Sequence, residues 1–133
     1  MKNLFAIMLL LSVIIGCSGK NTQNRQTQAE EGLKFAFSSG GNFILTHVCT
    51  DKIDYLGSDE GGNDQIEIAI KNDKQCFPHF DSLINKNIGT QMAISFKGTH
   101  LATATIQTPL NPSFRMGVKD KEQAISIMNA LKN

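Results

Sequence analysis

Pro78-His79-Phe80-Asp81-Ser82-Leu83-Ile84-Asn85-Lys86-Asn87-Ile88-Gly89-Thr90-Gln91-Met92-Ala93-Ile94-Ser95-Phe96 changes its hydrophobic period partway along. Phe80, Leu83, Ile84 and Ile88 recur at helical spacing, behind a proline suited to a first helical turn. Gly89 stands where a helix C-terminus favours glycine. From Gln91 the period is two: Met92, Ile94 and Phe96 alternate with Ala93 and Ser95, which predicts a strand. A helix leading directly into a half-buried strand marks an α+β domain, and the neighbouring segments extend that reading.

Leu33, Phe35 and Phe37 alternate as a strand, and Ser38 to Asn42 is turn-rich. Phe43 to Thr50 is rich in Ile, Leu, Val and Thr and reads as a second strand. Asp51 to Asp64 reads as a loop with a short helical turn around Ile53-Asp54-Tyr55. Ile66, Ile68 and Ile70 alternate cleanly. Beyond Phe96, Gly98-Thr99 fits a II′ hairpin with glycine in the first central place. His100 to Thr108 returns as a strand, Pro109 and Pro112 break the chain, and Phe114, Met116 and Val118 make a last strand. Asp120 with Gln123 is a capping-box pattern, and Ala124, Ile125, Met128 and Leu131 form the stripe of a terminal helix. The expected fold is α+β: a small antiparallel or mixed sheet with two helices packed on one face.

Upstream, Leu4 to Ile15 is an apolar run behind Lys2, closed by Gly16-Cys17. This is the pattern of a bacterial lipoprotein signal, and the run is short for a membrane span. Residues 1–16 are therefore expected to be a signal peptide and Cys17 the lipidated residue, the protein's contact with the membrane. Residues 17–31 are polar and read as a flexible tether. Residues 32–133 form the domain. Ser18 after the cysteine, where Asp would retain the protein at the inner membrane, favours the outer membrane. The expected location is the cell envelope, facing the periplasm.

Charge bears on the choice of partner. The chain has 13 basic and 12 acidic residues, so no electrostatic case exists for nucleic acid. Cys49 and Cys76 remain as an even pair in an oxidising compartment, which makes a disulfide the default over two buried free thiols. His47, His79 and His100 are too dispersed for a local metal motif. Asp51, Asp54, Asp59, Glu60, Asp64 and Glu67 miss the register of a calcium loop and read as a solvated stretch. No G-x-S-x-G is present, and both candidate thiol nucleophiles are assigned to the bridge. The chain is read as a non-enzyme without cofactor or metal.

The stretch Phe80 to Ile94 resembles the helix-then-strand signature of the periplasmic head subdomain of SecD and SecDF protein-export subunits. Ser95-Phe96-Lys97-Gly98, the strand to Ile106 and Pro109-Leu110 continue the likeness. So do Phe114 to Gly117 and Glu122-Gln123-Ala124, and upstream Thr50-Asp51-Lys52-Ile53 and Gln65 to Ile70. The likeness covers roughly Phe43 to Leu131. The chain departs from it at Lys97, where the family carries Asp, and at Thr105, where it carries Pro. No transmembrane bundle follows, so a tethered head is expected to bind without driving transport. The resemblance implies a SecDF-head-like fold used for binding a protein or peptide partner, by strand addition or a groove. The hairpin Lys97, Gly98, Thr99 and the loop holding Pro109 and Asn111 are the first places to look for that contact. An immunity or inhibitor lipoprotein, neutralising a periplasm-acting toxin or hydrolase, is the alternative reading.

Overall fold

Three segments that alternate in the sequence, 33–37, 66–70 and 92–96, lie in the middle of a sheet, and a fourth, 114–118, lies at an edge. In this computed structural model, which describes residues 31–132, seven strands and two helices follow one another. They are β1 (Leu33–Phe37), β2 (Asn42–Leu45), β3 (Thr50–Ser58), β4 (Asp64–Ile70), α1 (Phe77–Lys86), β5 (Gln91–Phe96), β6 (Thr99–Thr105), β7 (Ser113–Val118) and α2 (Lys121–Lys132). The expected signal peptide, Cys17 and nearly all of the expected tether lie outside the described residues.

The class is α+β and every strand pairing is antiparallel. The strands do not share one sheet, however. They divide into a four-stranded sheet of order β2-β1-β5-β6 and a three-stranded sheet of order β3-β4-β7. The helices are divided in the same way, α1 beside β2 and α2 across β3, β4 and β7.

Strands β1, β4 and β5 each have a neighbour on both sides and one buried face. That environment demands strict alternation. Leu33, Phe35 and Phe37 are buried, as are Ile66, Ile68 and Ile70, and Met92, Ile94 and Phe96. The two sheets meet in one core. Phe80 of α1 lies 5.0 Å from Phe35 and 4.8 Å from Phe43, ring centre to ring centre. Phe114 reaches in from the other sheet, 6.1 Å from Phe35 and 6.5 Å from Phe80.

Several elements differ from expectation. The segment read as a loop with a helical turn, 51–64, is instead mostly β3 and its hairpin to β4. Only Thr50 and Ile53 of β3 are buried, and its register shifts between Thr50 and Lys52 and again between Tyr55 and Gly57. Two bulges on an edge strand erase the period-two signal. Conversely, the strand expected over 43–50 stops at Leu45. Residues 47–49 turn, placing Cys49 in the connection between the sheets rather than in a strand.

Helix α1 ends earlier than Ile88, which is 45% exposed. Asn87 caps it: its backbone N–H donates to Ile84 O at 3.0 Å and its side-chain amide to Leu83 O at 2.7 Å. Gly89, at φ +88°, belongs to the turn that redirects the chain into β5. In α2 the buried stripe is Ala124, Ile127 and Leu131, with Met128 at its margin, whereas Ile125 is exposed. The expected cap holds: Gln123 N–H donates to Asp120 Oδ1 at 2.8 Å, and Gln123 Oε1 accepts from Lys119 N–H at 2.8 Å.

The β5–β6 hairpin is also of a different type. Phe96 pairs with Thr99, so Lys97 and Gly98 are the two central residues, both at positive φ (49° and 76°). That is a type I′ turn, which favours Asn-Gly, rather than II′. A left-handed lysine costs about 1–2 kcal/mol. Its ammonium lies 5.3 Å from the Phe96 ring centre, which returns about 0.5 kcal/mol. Lys97→Asn is therefore expected to stabilise the domain by about 0.5–1 kcal/mol, read as a raised denaturant midpoint.

Candidate functional site

Cys49 and Cys76 form a disulfide, with Cα atoms 5.2 Å apart. Cys76 is buried at the N-terminus of α1, and Cys49 is half-buried in the turn between β2 and β3. Hydrogen bonds organise the same corner. Lys71 N–H donates to Cys49 O at 2.8 Å and Phe77 N–H to Lys71 O at 3.0 Å. The bridge therefore pins the first crossing between the sheets to the start of α1 and encloses the β3–β4 hairpin. It fastens the domain and offers no reactive thiol.

The residues expected to bind a partner do not converge. Lys97, Gly98 and Thr99 occupy the tip of the β5–β6 hairpin. Pro109 and Asn111 lie in the β6–β7 connection, past the far end of β6. At about 3.3 Å per residue, the seven residues of β6 hold the two groups roughly 20 Å apart. What joins them is β6 itself.

β6 is an edge strand, Thr99-His100-Leu101-Ala102-Thr103-Ala104-Thr105, and none of its side chains is fully buried. Among the described residues, no strand pairs with its outer side. A register shift opposite Ile94 and Ser95 leaves Leu101 as the extra residue; beyond it Ala102 pairs with Ile94, Thr103 with Ala93 and Ala104 with Met92. Where β6 ends, Met92, Ala104, Ile106, Thr108 and Leu110 line an apolar cleft of about 250 Å³. Met92 and Ile106 are its buried floor. No charged residue occurs from Gly98 to Phe114. Natural edges normally carry charge, proline or short length against unwanted pairing. The other three edges have such protection. β2 has four residues, β3 carries Asp51, Lys52 and Asp54, and β7 carries Arg115. The neutral run was visible in the sequence, and its meaning emerges only once β6 is known to be an edge.

Two of the three histidines have neighbours within the fold. His79 packs near Phe43, ring centres 6.0 Å apart, and His100 Nε2 lies 3.2 Å from Thr103 Oγ1. His47 is exposed on the turn beside two open polar clefts, one shared with Lys97 and the other with Lys71. Among the described residues, no group of three or more His, Cys, Asp or Glu is placed to hold a metal.

The acidic stretch builds the β3–β4 turn. Asp59 Oδ1 accepts from the Asn63 N–H at 2.8 Å. Asp64 Oδ1 accepts from the Tyr55 hydroxyl at 2.6 Å and from Ser58 at 2.9 Å. The bond to Asn63 holds the Asp59 carboxyl below the usual carboxylate range, and the Tyr55 hydroxyl does the same for Asp64. A carboxyl whose folded pKa is depressed contributes stability above its unfolded value, about 3.9, and loses it as pH falls through the folded value. Replacing Asp59 and Asp64 together by Asn is expected to flatten the fall in melting temperature below about pH 4, leaving a smaller slope than wild type in a pH series.

No protein-family model and no curated protein matches this chain.

Proposed function

We propose that this chain is a lipid-anchored periplasmic binding protein, without catalytic activity, that recognises a protein partner through the β6 edge. The reading combines the signal pattern ending at Gly16-Cys17 with a domain that resembles the SecDF head. Lipid on Cys17 holds the protein in the envelope, with the outer membrane favoured. The disulfide fits an oxidising compartment.

The observation that carries the proposal is the long, neutral edge of β6, unpaired among the described residues, beside an apolar cleft. Strand addition draws affinity from main-chain hydrogen bonds and specificity from pockets for alternate side chains. This surface offers both. The near balance of charge argues against nucleic acid as the ligand.

The test is chemical crosslinking in intact envelopes with wild-type chain, Thr103→Pro and Cys17→Ala. Wild type is expected to give a discrete protein adduct that Thr103→Pro loses: the N–H groups of Ala102, Ala104 and Ile106 face β5 and that of Thr103 faces outward, so proline there removes an edge hydrogen bond and spares the β5–β6 ladder. Cys17→Ala is expected to leave the membrane fraction. An adduct pattern unchanged by Thr103→Pro, or no adduct at all, sinks the edge reading. A Cys17→Ala chain that stays with the membrane sinks the anchor.

A further inference from the structure

We infer that the partner of the β6 edge is the β6 edge of a second copy of this chain, paired antiparallel about a two-fold axis. The inference rests on the edge reading above and names its occupant.

Three observations favour a second copy. The first is charge. A two-fold axis places each side chain opposite its own kind or a near neighbour, so any charge close to the axis meets its like. β6 has none, and no charged residue occurs before Arg115 in the segment that follows. Of the four edges, β6 alone combines seven residues with no charged side chain.

The second observation is side-chain size. With the axis at Thr103, Ala102 of one copy lies opposite Ala104 of the other, and Thr103 faces Thr103. Ala102 and Ala104 are on the core face, opposite Ile94 and Met92, and Thr103 is exposed on the outer face. Small residues meet small residues on one face, and a Thr–Thr cross-strand pair forms on the other.

The third is reciprocity. The same register brings Leu101 of each copy level with Thr105 of the other, beside the cleft of Met92, Ile106 and Leu110. Leu101 is the extra residue of the bulge and only half-buried in its own chain. Each copy would thus supply one apolar side chain and one cleft to receive it, as a two-fold contact requires. The result is a continuous eight-stranded antiparallel sheet with β6 and its mate at the centre.

The test uses the full chain in its own envelope. A benzophenone-bearing phenylalanine is incorporated in place of Thr105, with a control probe in place of the exposed Asn85 on α1. Ultraviolet irradiation is expected to give an adduct of twice the chain's mass from position 105 and not from position 85. Adding Thr103→Lys should cut that adduct about tenfold, because two ammonium groups then meet at the axis. Retained protease resistance shows that the Lys variant still folds. A position-105 adduct with a different protein overturns the second copy as occupant but leaves the edge as the recognition surface. No adduct at position 105 overturns both. A doubled-mass adduct equally strong from position 85, or unaffected by Thr103→Lys, is collision on the membrane and overturns the inference.

Discussion

Phe80→Ala is expected to destabilise the domain by about 3–5 kcal/mol, the usual cost of truncating a fully buried phenylalanine. Phe80 is 0% exposed and sits among Phe35, Phe43 and Phe114. These rings come from both sheets, and α1 is the element that brings them together. The cavity would open where three elements converge, so collapse around it would have to move two sheets at once. The loss therefore belongs at the upper end of the range. Against a total of about 5–15 kcal/mol, that is a large share. For a domain of this size it corresponds to a drop in melting temperature of roughly 15 °C or more. Equilibrium denaturation checks it, and a cost under about 1 kcal/mol would mean that Phe80 does not join the two sheets.

Removing the bridge should cost nearly as much by a different route. Cys49→Ser with Cys76→Ala opens a loop spanning 27 positions, worth about 3.5 kcal/mol in the chain-entropy model. The effect arises mainly in the unfolded chain, so reducing the wild type should reproduce most of the shift without altering a single side chain. Melting curves of the double variant, with and without reductant, separate the two contributions. The variant should be insensitive to reductant, and the wild type should converge on it. Equal stability of oxidised and reduced wild type would contradict the prediction.

The parts of the fold legible in the sequence are those where burial fixes side-chain direction. β1, β4 and β5 announce themselves because each is central in its sheet with one face in the core. The cap of α2 is legible because Asp120 and Gln123 act over three residues. β3 is hidden by its two bulges and its exposure. Its Ile53 is the one buried apolar side chain in nine residues, and a period cannot be read from one point. Ile125 passes for a core residue because it lies near the correct arc of α2, but the helix turns Ile127 inward instead. The hairpin type eludes the sequence because lysine rarely adopts positive φ, so Lys97 looks like the end of a strand.

The division into two sheets leaves no local trace, since alternation reveals a strand's faces and not its neighbours. The candidate site has the same limitation. Lys97, Gly98, Thr99, Pro109 and Asn111 stand out in the sequence as turn and loop residues, and they bracket a strand whose outer side no strand among the described residues pairs with. The disulfide is legible from the cysteine count together with the oxidising compartment that the signal pattern leads one to expect.

The bridge has one more consequence, for survival among proteases. The tip of the β3–β4 hairpin, Gly61-Gly62, is exposed and lies inside the ring closed by Cys49 and Cys76. A cut there does not release a fragment. Both pieces stay covalently joined, and β3 keeps β4 at an effective concentration on the order of millimolar. The pairs from Thr50–Ile70 to Tyr55–Ile66 lie on the bridged side of such a cut. The nicked molecule should therefore migrate as one band without reductant and two with it, while its β6 edge, which belongs to the other sheet, remains in place.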